Sequence, residues 1–465
     1  MHRDDERSFL ENRYPWRAGR YLPAVVSPRR VLKFGGAALR DGPAIEHCAR
    51  IVASRSDARP LVVVSAHGGV TRLLERAVTE AGEGRFDWEG LRIRHKTLLR
   101  QLQLGGELVD RHLRELRGVL SEMARARRTD RRLRDAVLSY GERISARIVA
   151  EVLRQRGLDA TPLDAFDVGL VAQHVDSGRP ALEPPTPGVR EALGVIPGIP
   201  VVTGFVAVDS GGDLATLGPN GSDLSAVWFG EALRASEVEL WKDVPGFMTA
   251  DPKVVPEARP LATLGRSEAI ELAIHGANVL HPGALEPACR ADVAVRIKSL
   301  ADPEAAGTRI QKDTDRSGPV GLAHHEALSL WTEPVGLGHD LNAVLIERMS
   351  QFRAAGLQPY RVSASATGLH VLLENAPHSR EQLEALVGEW AEAGLQHGLS
   401  SLAIVGAGVG DDPHCADLVR EEAVRLGFVL RRAPGGAGAS SQVFLCSADE
   451  NGPLLRAVHR RLFEA

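Results

Sequence analysis

Cysteine is scarce: Cys48, Cys289, Cys415 and Cys446 are the four in 465 residues, with no CxxC pair among them. That excludes a zinc-type cluster and a disulfide framework, and it fits structural thiols in a reducing cytoplasm. No apolar run approaches the length of a membrane span. The opening segment is charged and broken by prolines, without the apolar stretch of a secretory signal. The expected location is therefore cytoplasmic. An excess of one charge is missing too: 56 Lys and Arg against 60 Asp and Glu leave a formal −4. Neither nucleic acid nor an anionic membrane is expected as a partner. A small molecule is.

What the chain has is length for two or three domains and ordinary soluble composition, 44% hydrophobic and 25% charged. Residues 1–28 read as an N-terminal extension carrying Trp16 and Tyr21. From Val31, apolar β-branched runs alternate with amphipathic helices, the βαβα rhythm of a parallel sheet covered on both faces. Trp88 to Gly157 is helical in pattern, with its arginines on a solvated face. Strands are predicted again at Ala160–Leu163, Pro200–Val206, Val238–Lys242 and Val293–Lys298. Residues 29–311 form one α/β domain on this reading, followed by a polar linker over 312–318. Beyond it the rhythm shortens into two βαββα units, 319–396 and 397–465, a degenerate repeat of ferredoxin-like modules. Predicted elements include a strand at Leu328–Trp331 and a last helix from Pro453.

Four loops have the make-up of a site. In Val31-Leu32-Lys33-Phe34-Gly35-Gly36, two glycines follow a lysine where a strand hands over to a helix. Such glycines let backbone N–H groups close on an anion, and a triphosphate would fit there. Ser65-Ala66-His67-Gly68-Gly69-Val70-Thr71 ends the next strand with small residues. Gly218-Pro219-Asn220-Gly221-Ser222-Asp223 precedes a helix, and the stretch from Trp241 to Lys253 follows another strand. All four fall where open α/β sheets bind ligands. Read alone, Glu142 could instead be a helix-surface carboxylate paired with Arg143 or Arg147, and Asp223 a residue that merely favours a helix start. His67 and His281 read as structural.

With these motifs in order, the chain resembles the aspartate kinases of the amino-acid kinase superfamily. KFGGAAL resembles their KFGGTS, VVVSAHGGVTRLL their VVVSAMGGVTNLL, and LSYGERISA their LSFGERLSA. TLGPNGSDLSA is similar to TLGRGGSDYSA, WKDVPGFMTADPKVVPEAR to WTDVDGVYTADPRVVPDAR, and GANVLHPGALEPA to GAKVLHPRTLEPA. The likeness spans about Val31 to Ile310, and the two small units resemble an ACT regulatory pair. It implies a three-layer amino-acid-kinase sandwich with a mostly parallel sheet, followed by two ACT modules. It also implies ATP-dependent phosphorylation of the aspartate side chain, with Mg²⁺ accompanying ATP. Lys33 would lie against the transferring phosphoryl with Asp223 organising it, and Gly35, Gly36, Gly68, Gly69 and Ser65 would contact phosphate. Glu142 would take the substrate ammonium, with Thr71, Phe205 and Ser222 around the substrate. Lys242, Asp243, Phe247, Asp251 and Lys253 would hold the nucleotide. Ser363 and Ser365 fall where such pairs bind an amino-acid effector, or they form an ordinary turn. A homodimer through the ACT modules is expected.

The departures lie in the site itself. Ala37 and Ala38 replace a Thr-Ser pair, and Pro219 stands where the family's arginine clamps the substrate α-carboxylate. Asn278 replaces a lysine, and Lys242 a threonine. Three functions follow from this pattern: an aspartate kinase with a rearranged site, a kinase for a related acid, or a catalytically silent ACT-containing regulatory paralogue.

Overall fold

The structure, a computed structural model, describes residues 30–173, 180–312, 317–336, 340–357, 359–365, 368–374, 379–388, 390, 393–433 and 440–464. The expected extension over residues 1–28 lies outside these, as does part of the expected linker, residues 313–316. The chain divides into two units, Met1–Gly246 with Gly283–Lys312, and Phe247–Pro282 with Asp313–Ala465. Among the described residues no helix is long and apolar enough to cross a membrane.

In the first unit, the Arg30–Phe34 run is buried from Val31 onward and the Pro60–Val64 run is buried at every position. Strands without alternation are those covered on both faces. The sheet runs Thr308–Gln311, Ala294–Ser299, Glu237–Lys242, Arg30–Phe34, Pro60–Val64, Ile199–Thr203, Ala160–Leu163. Pairing is parallel except at Thr308–Gln311. The first strand lies inside, with its successor on one side and Glu237–Lys242 on the other. Chain order reverses about it, and such a reversal opens a crevice at the carboxyl ends of the strands.

Successive side chains of a strand point to opposite faces. Leu32 and Phe34 therefore join the core built with Gly42–Ala53, Val70–Gly82, Trp88–Gln101, Asp110–Ala126 and Arg131–Gln155. Lys33 points to the other face, against which the Gly221–Leu233 helix packs. A second, small sheet absent from the sequence reading orders Ala181–Leu182, Val171–Gln173, Val206–Asp209 and Leu214–Thr216. Its strands are two to four residues long, too short for a periodic signal.

The second unit contains both predicted repeats. The first runs Gly321–Pro334, Leu341–Ala354, Pro359–Ser365, Gly368–Glu374 and Ser379–Val387. The second runs Gly394–Val405, Pro413–Leu426, Arg431–Arg432, Ser441–Ser447 and Ala448–Phe463. They share one antiparallel sheet, in which the two long first strands pair from Gly321↔Val405 to Thr332↔Gly394. Each repeat keeps its own core: Trp331, Phe352 and Leu369 in one, Leu402, Val419 and Leu455 in the other. The expected strand Leu328–Trp331 extends to Gly321–Pro334, because ladder pairing runs through the polar His324-His325 and resumes at Leu328 after a register shift. The last helix starts at Ala448 rather than Pro453: Ser447 and Glu450 form a capping box ahead of the proline. The segment Phe247–Pro282 belongs to this unit, where Leu322 donates its N–H to the Thr249 carbonyl at 2.7 Å and Thr249 Oγ1 meets His459 Nε2 at 2.9 Å.

Candidate active site

Register brings the cations together. Lys33 pairs with Leu240 and Phe34 with Trp241, so Lys242 lies one step beyond the first strand, on the same face as Lys33. Asp223, in the first turn of the Gly221–Leu233 helix, lies between the two lysines. Lys33 Nζ is 2.5 Å from Asp223 Oδ1, and Lys242 Nζ is 2.7 Å from Asp223 Oδ2. Asp223 is wholly buried. Burial alone would raise its pKa, but the two ammonium groups outweigh that and hold the carboxyl below its ordinary value. Burial pulls Lys33 below the usual lysine value, with Asp223 opposing and Lys242 reinforcing the shift. Asp223 is thus an ion-pair centre at a helix start, not a helix-start residue alone.

The two glycine loops touch. A Cβ on Gly36 would lie 3.1 Å from the Ala66 carbonyl, and one on Gly68 would meet Arg40 Cβ at 2.9 Å and the Gly36 carbonyl at 3.1 Å. A Cβ on Gly35 would lie 3.2 Å from Lys33 Nζ, so a side chain there would crowd the ammonium group. The helix that follows Gly35-Gly36 does not open from the glycines themselves. Leu39 N–H bonds back to the Gly35 and Gly36 carbonyls, and the helix begins at Gly42, capped by the Asp41 carboxylate. The helix that opens directly from a glycine loop is Val70–Gly82, with Gly69 at its N-cap in the left-handed region at φ 81°. Its first N–H groups carry the positive end of that helix.

Glu142 comes from the other face. Its helix, Arg131–Gln155, approaches closely because residue 141 is glycine: a Cβ there would lie 2.8 Å from Ala66 Cβ. Glu142 Oε1 accepts the Ala66 N–H at 3.0 Å, while Oε2 is buried without a hydrogen-bond partner among the described residues. The carboxyl is 3% exposed, and burial pushes its pKa up to about 8 against the pull of that N–H and of Lys33. It is no surface carboxylate paired with its neighbours, since Arg143 and Arg147 both bond Asp164. A buried carboxyl with one open oxygen suits an incoming cation.

The corner after Ile199–Thr203 collects Phe205 and Ser222. Phe205 sits at φ 64°, donating its N–H to Ser225 Oγ at 3.1 Å, and a Cβ on Gly204 would lie 2.6 Å from Ser222 Cβ. Ser65 donates its N–H to the Phe34 carbonyl at 3.1 Å, and half-buried Thr71 follows in the first turn of its helix. Asp243 is exposed beside Lys242. Phe247, Asp251 and Lys253 fall in the second unit, where Phe247 is fully buried and Asp251 Oδ1 accepts the Lys253 N–H at 2.9 Å. Ser363 and Ser365 lie not in a turn but on the edge strand Pro359–Ser365. His67 is buried against the Leu39 carbonyl, with burial lowering its pKa to about 3, which keeps it neutral and structural. Of the substituted positions, Ala37, Pro219 and Asn278 are exposed and Ala38 is buried. Sequence reading missed the Ala66 N–H, Gly141 and Ser225; Gly141 and Gly204 carried no sign of what they would touch.

Residues 28–299 match the amino acid kinase family. Aspartokinase 1, chloroplastic, of Arabidopsis thaliana is 29% identical over 94% of this chain and 80% of its own length. Lysine-sensitive aspartokinase 3 of Escherichia coli (strain K12) is 37% identical over 61% of this chain and 64% of its own. The crystal structure of E. coli aspartokinase III in complex with aspartate and ADP superposes with a TM-score of 0.76, at 27% identity, covering 93% of this chain and 99% of that one. With its parallel sheet, glycine loops and paired lysines, the chain belongs to the amino acid kinase family.

Proposed function

We propose that this protein is an aspartate kinase: it transfers the γ-phosphoryl group of ATP to the side-chain carboxylate of L-aspartate, yielding ADP and an acyl phosphate. The observation that carries this reading is the buried Asp223 with Lys33 and Lys242 at the chain reversal of the sheet, beside the touching glycine loops. A carboxylate is a nucleophile at neutral pH, so no general base is needed. Catalysis rests on holding two anions together and neutralising charge as phosphoryl moves. The N–H groups of Gly35, Gly36, Gly68 and Gly69, with Ser65, take the phosphates, and Lys33 meets the transferring group. Glu142 receives the substrate ammonium through its open oxygen, with Thr71, Phe205 and Ser222 around the substrate. Asp243, Phe247, Asp251 and Lys253 are assigned to the nucleotide by their motif. The intact Lys33, Asp223 and Glu142 weigh against a silent paralogue, as do relatives named as aspartokinases and a similar structure holding aspartate and ADP.

ATP is a substrate here, and Mg²⁺ enters with its phosphates. Among the described residues no three His, Cys, Asp or Glu side chains group to hold a metal, and Asp223 is engaged by two lysines. Mg²⁺ is ordinarily held through phosphate and water with few carboxylates. The edge strand Pro359–Ser365 is the place for pairing with a second copy and, at Ser363 and Ser365, for an amino-acid effector. ADP release from ATP with a panel of carboxylic acids, trapped as hydroxamates, tests the function. Turnover with L-aspartate upholds it, turnover only with another acid redirects it, and none with any acid refutes it.

A further inference from the structure

We infer that Lys242 is a second catalytic cation, which meets the transferring phosphoryl group alongside Lys33 and is not confined to holding the nucleotide. The inference rests on the kinase reading above and on four features of the chain itself. One buried aspartate is charge-balanced by one lysine, yet Asp223 has two, one on each carboxylate oxygen. The trio therefore carries a net positive charge in a largely desolvated place, an arrangement that asks for an anion. Both lysines leave the same face of adjacent parallel strands, and Lys242, one step beyond Trp241, is level with Gly35 where the first loop begins. The Lys242 side chain is 17% exposed, against 8% for Lys33 and 1% for Asp223, so it is the member of the trio most open to an arriving group. An ammonium group has three N–H donors, and among the described residues the bond assigned to Lys242 is the one to Asp223. Asp223 then does more than neutralise: it fixes the spacing of two cations that would otherwise repel.

In the transfer, an oxygen of the acceptor carboxylate forms a bond to the γ-phosphorus while the bond from that phosphorus to the β–γ bridging oxygen breaks, and its electron pair leaves with ADP. No proton changes place. Lys33 and Lys242 donate hydrogen bonds to the oxygens on which charge gathers, throughout the step.

The test compares wild type, Lys242→Met and Lys242→Arg in steady-state turnover with ATP and L-aspartate, and in calorimetric binding of ADP and of a non-hydrolysable ATP analogue. For Lys242→Met the expected result is a fall in kcat of about 10²–10³-fold with KM values changed only a few-fold, and weaker binding of the triphosphate with ADP affinity kept. Lys242→Arg keeps the charge and should recover most of the loss. A Lys242→Met kcat within a few-fold of wild type overturns the inference, and so does an equal loss of affinity for ADP and triphosphate, which would mark Lys242 as a general nucleotide contact. A wild type inactive with aspartate would sink the function, yet the comparison of triphosphate with diphosphate would still decide the role of Lys242. Should Lys242→Met fail to fold, Lys242→Gln and Lys242→Arg carry the same comparison.

Discussion

The Ala66 N–H and the Glu142 carboxylate meet at 3.0 Å across 76 positions of sequence, joining the end of one strand to the middle of a 25-residue helix. That bond positions the carboxyl and uses one oxygen; burial raises its pKa to about 8 from an ordinary 4.5. The folded protein thus holds a proton that the unfolded chain has lost over this interval, so stability falls as pH rises from about 4.5 to about 8. Thermal melts of the ligand-free protein across that range should show the decline, and Glu142→Gln should flatten it. A wild-type curve as flat as the variant's would contradict the assignment.

The same carboxyl must ionise to receive an ammonium group, so binding of L-aspartate near pH 7 should expel close to one proton. Calorimetry in buffers of differing ionisation enthalpy measures this directly. Glu142→Gln should remove both the proton release and most of the affinity for amino acid.

Gly141 sets how near that helix comes. In Gly141→Ala the new methyl group would meet Ala66 Cβ at 2.8 Å, a backbone-borne clash with no flexible side chain to yield. The expected cost is about 1–3 kcal/mol of stability, with KM for the acceptor rising more than KM for ATP. Denaturant unfolding and initial rates are the checks.

Lys33→Met leaves Asp223 its bond to Lys242, so the fold should survive while kcat falls by at least about 10²–10³-fold. A melting temperature near the wild type's with lost turnover is the expected pair of results. Unchanged turnover would remove Lys33 from the chemistry.

Pro219 is exposed in the loop ahead of the Gly221–Leu233 helix. If a guanidinium clamp is what the site lacks, Pro219→Arg should lower KM for L-aspartate about tenfold or more, since a charge-assisted hydrogen bond contributes roughly 1.5–3 kcal/mol. An unchanged KM would mean that another group already holds the α-carboxylate.

Much of this was legible in the residues because short-range rules govern it. The apolar runs at Val31 and Leu61 and the glycines after them predicted buried strands ending in glycine loops, and both are there. Four residues read as a site, Lys33, Glu142, Ser222 and Asp223, fall at the crevice end of one sheet. What sequence could not carry was long-range pairing. Nothing near Lys242 announced that its ammonium group would reach Asp223, and nothing near Glu142 announced the Ala66 N–H. The strand expected at Leu328–Trp331 falls short of the observed Gly321–Pro334, since pattern reports side chains and not the ladder that holds the strand. Thr249 and Arg259 bond to Leu322, His459 and Phe463, distant partners that no local pattern signals.

The pairing of Gly321–Pro334 with Gly394–Val405 makes the two repeats neighbours along a common seam. Removing either would strip one side of a long strand and leave its amide and carbonyl groups bare, an invitation to aggregation. The duplicated part of the chain is therefore indivisible: a lineage can discard or keep the pair, but a shortened descendant with a single repeat would need a new covering for that seam.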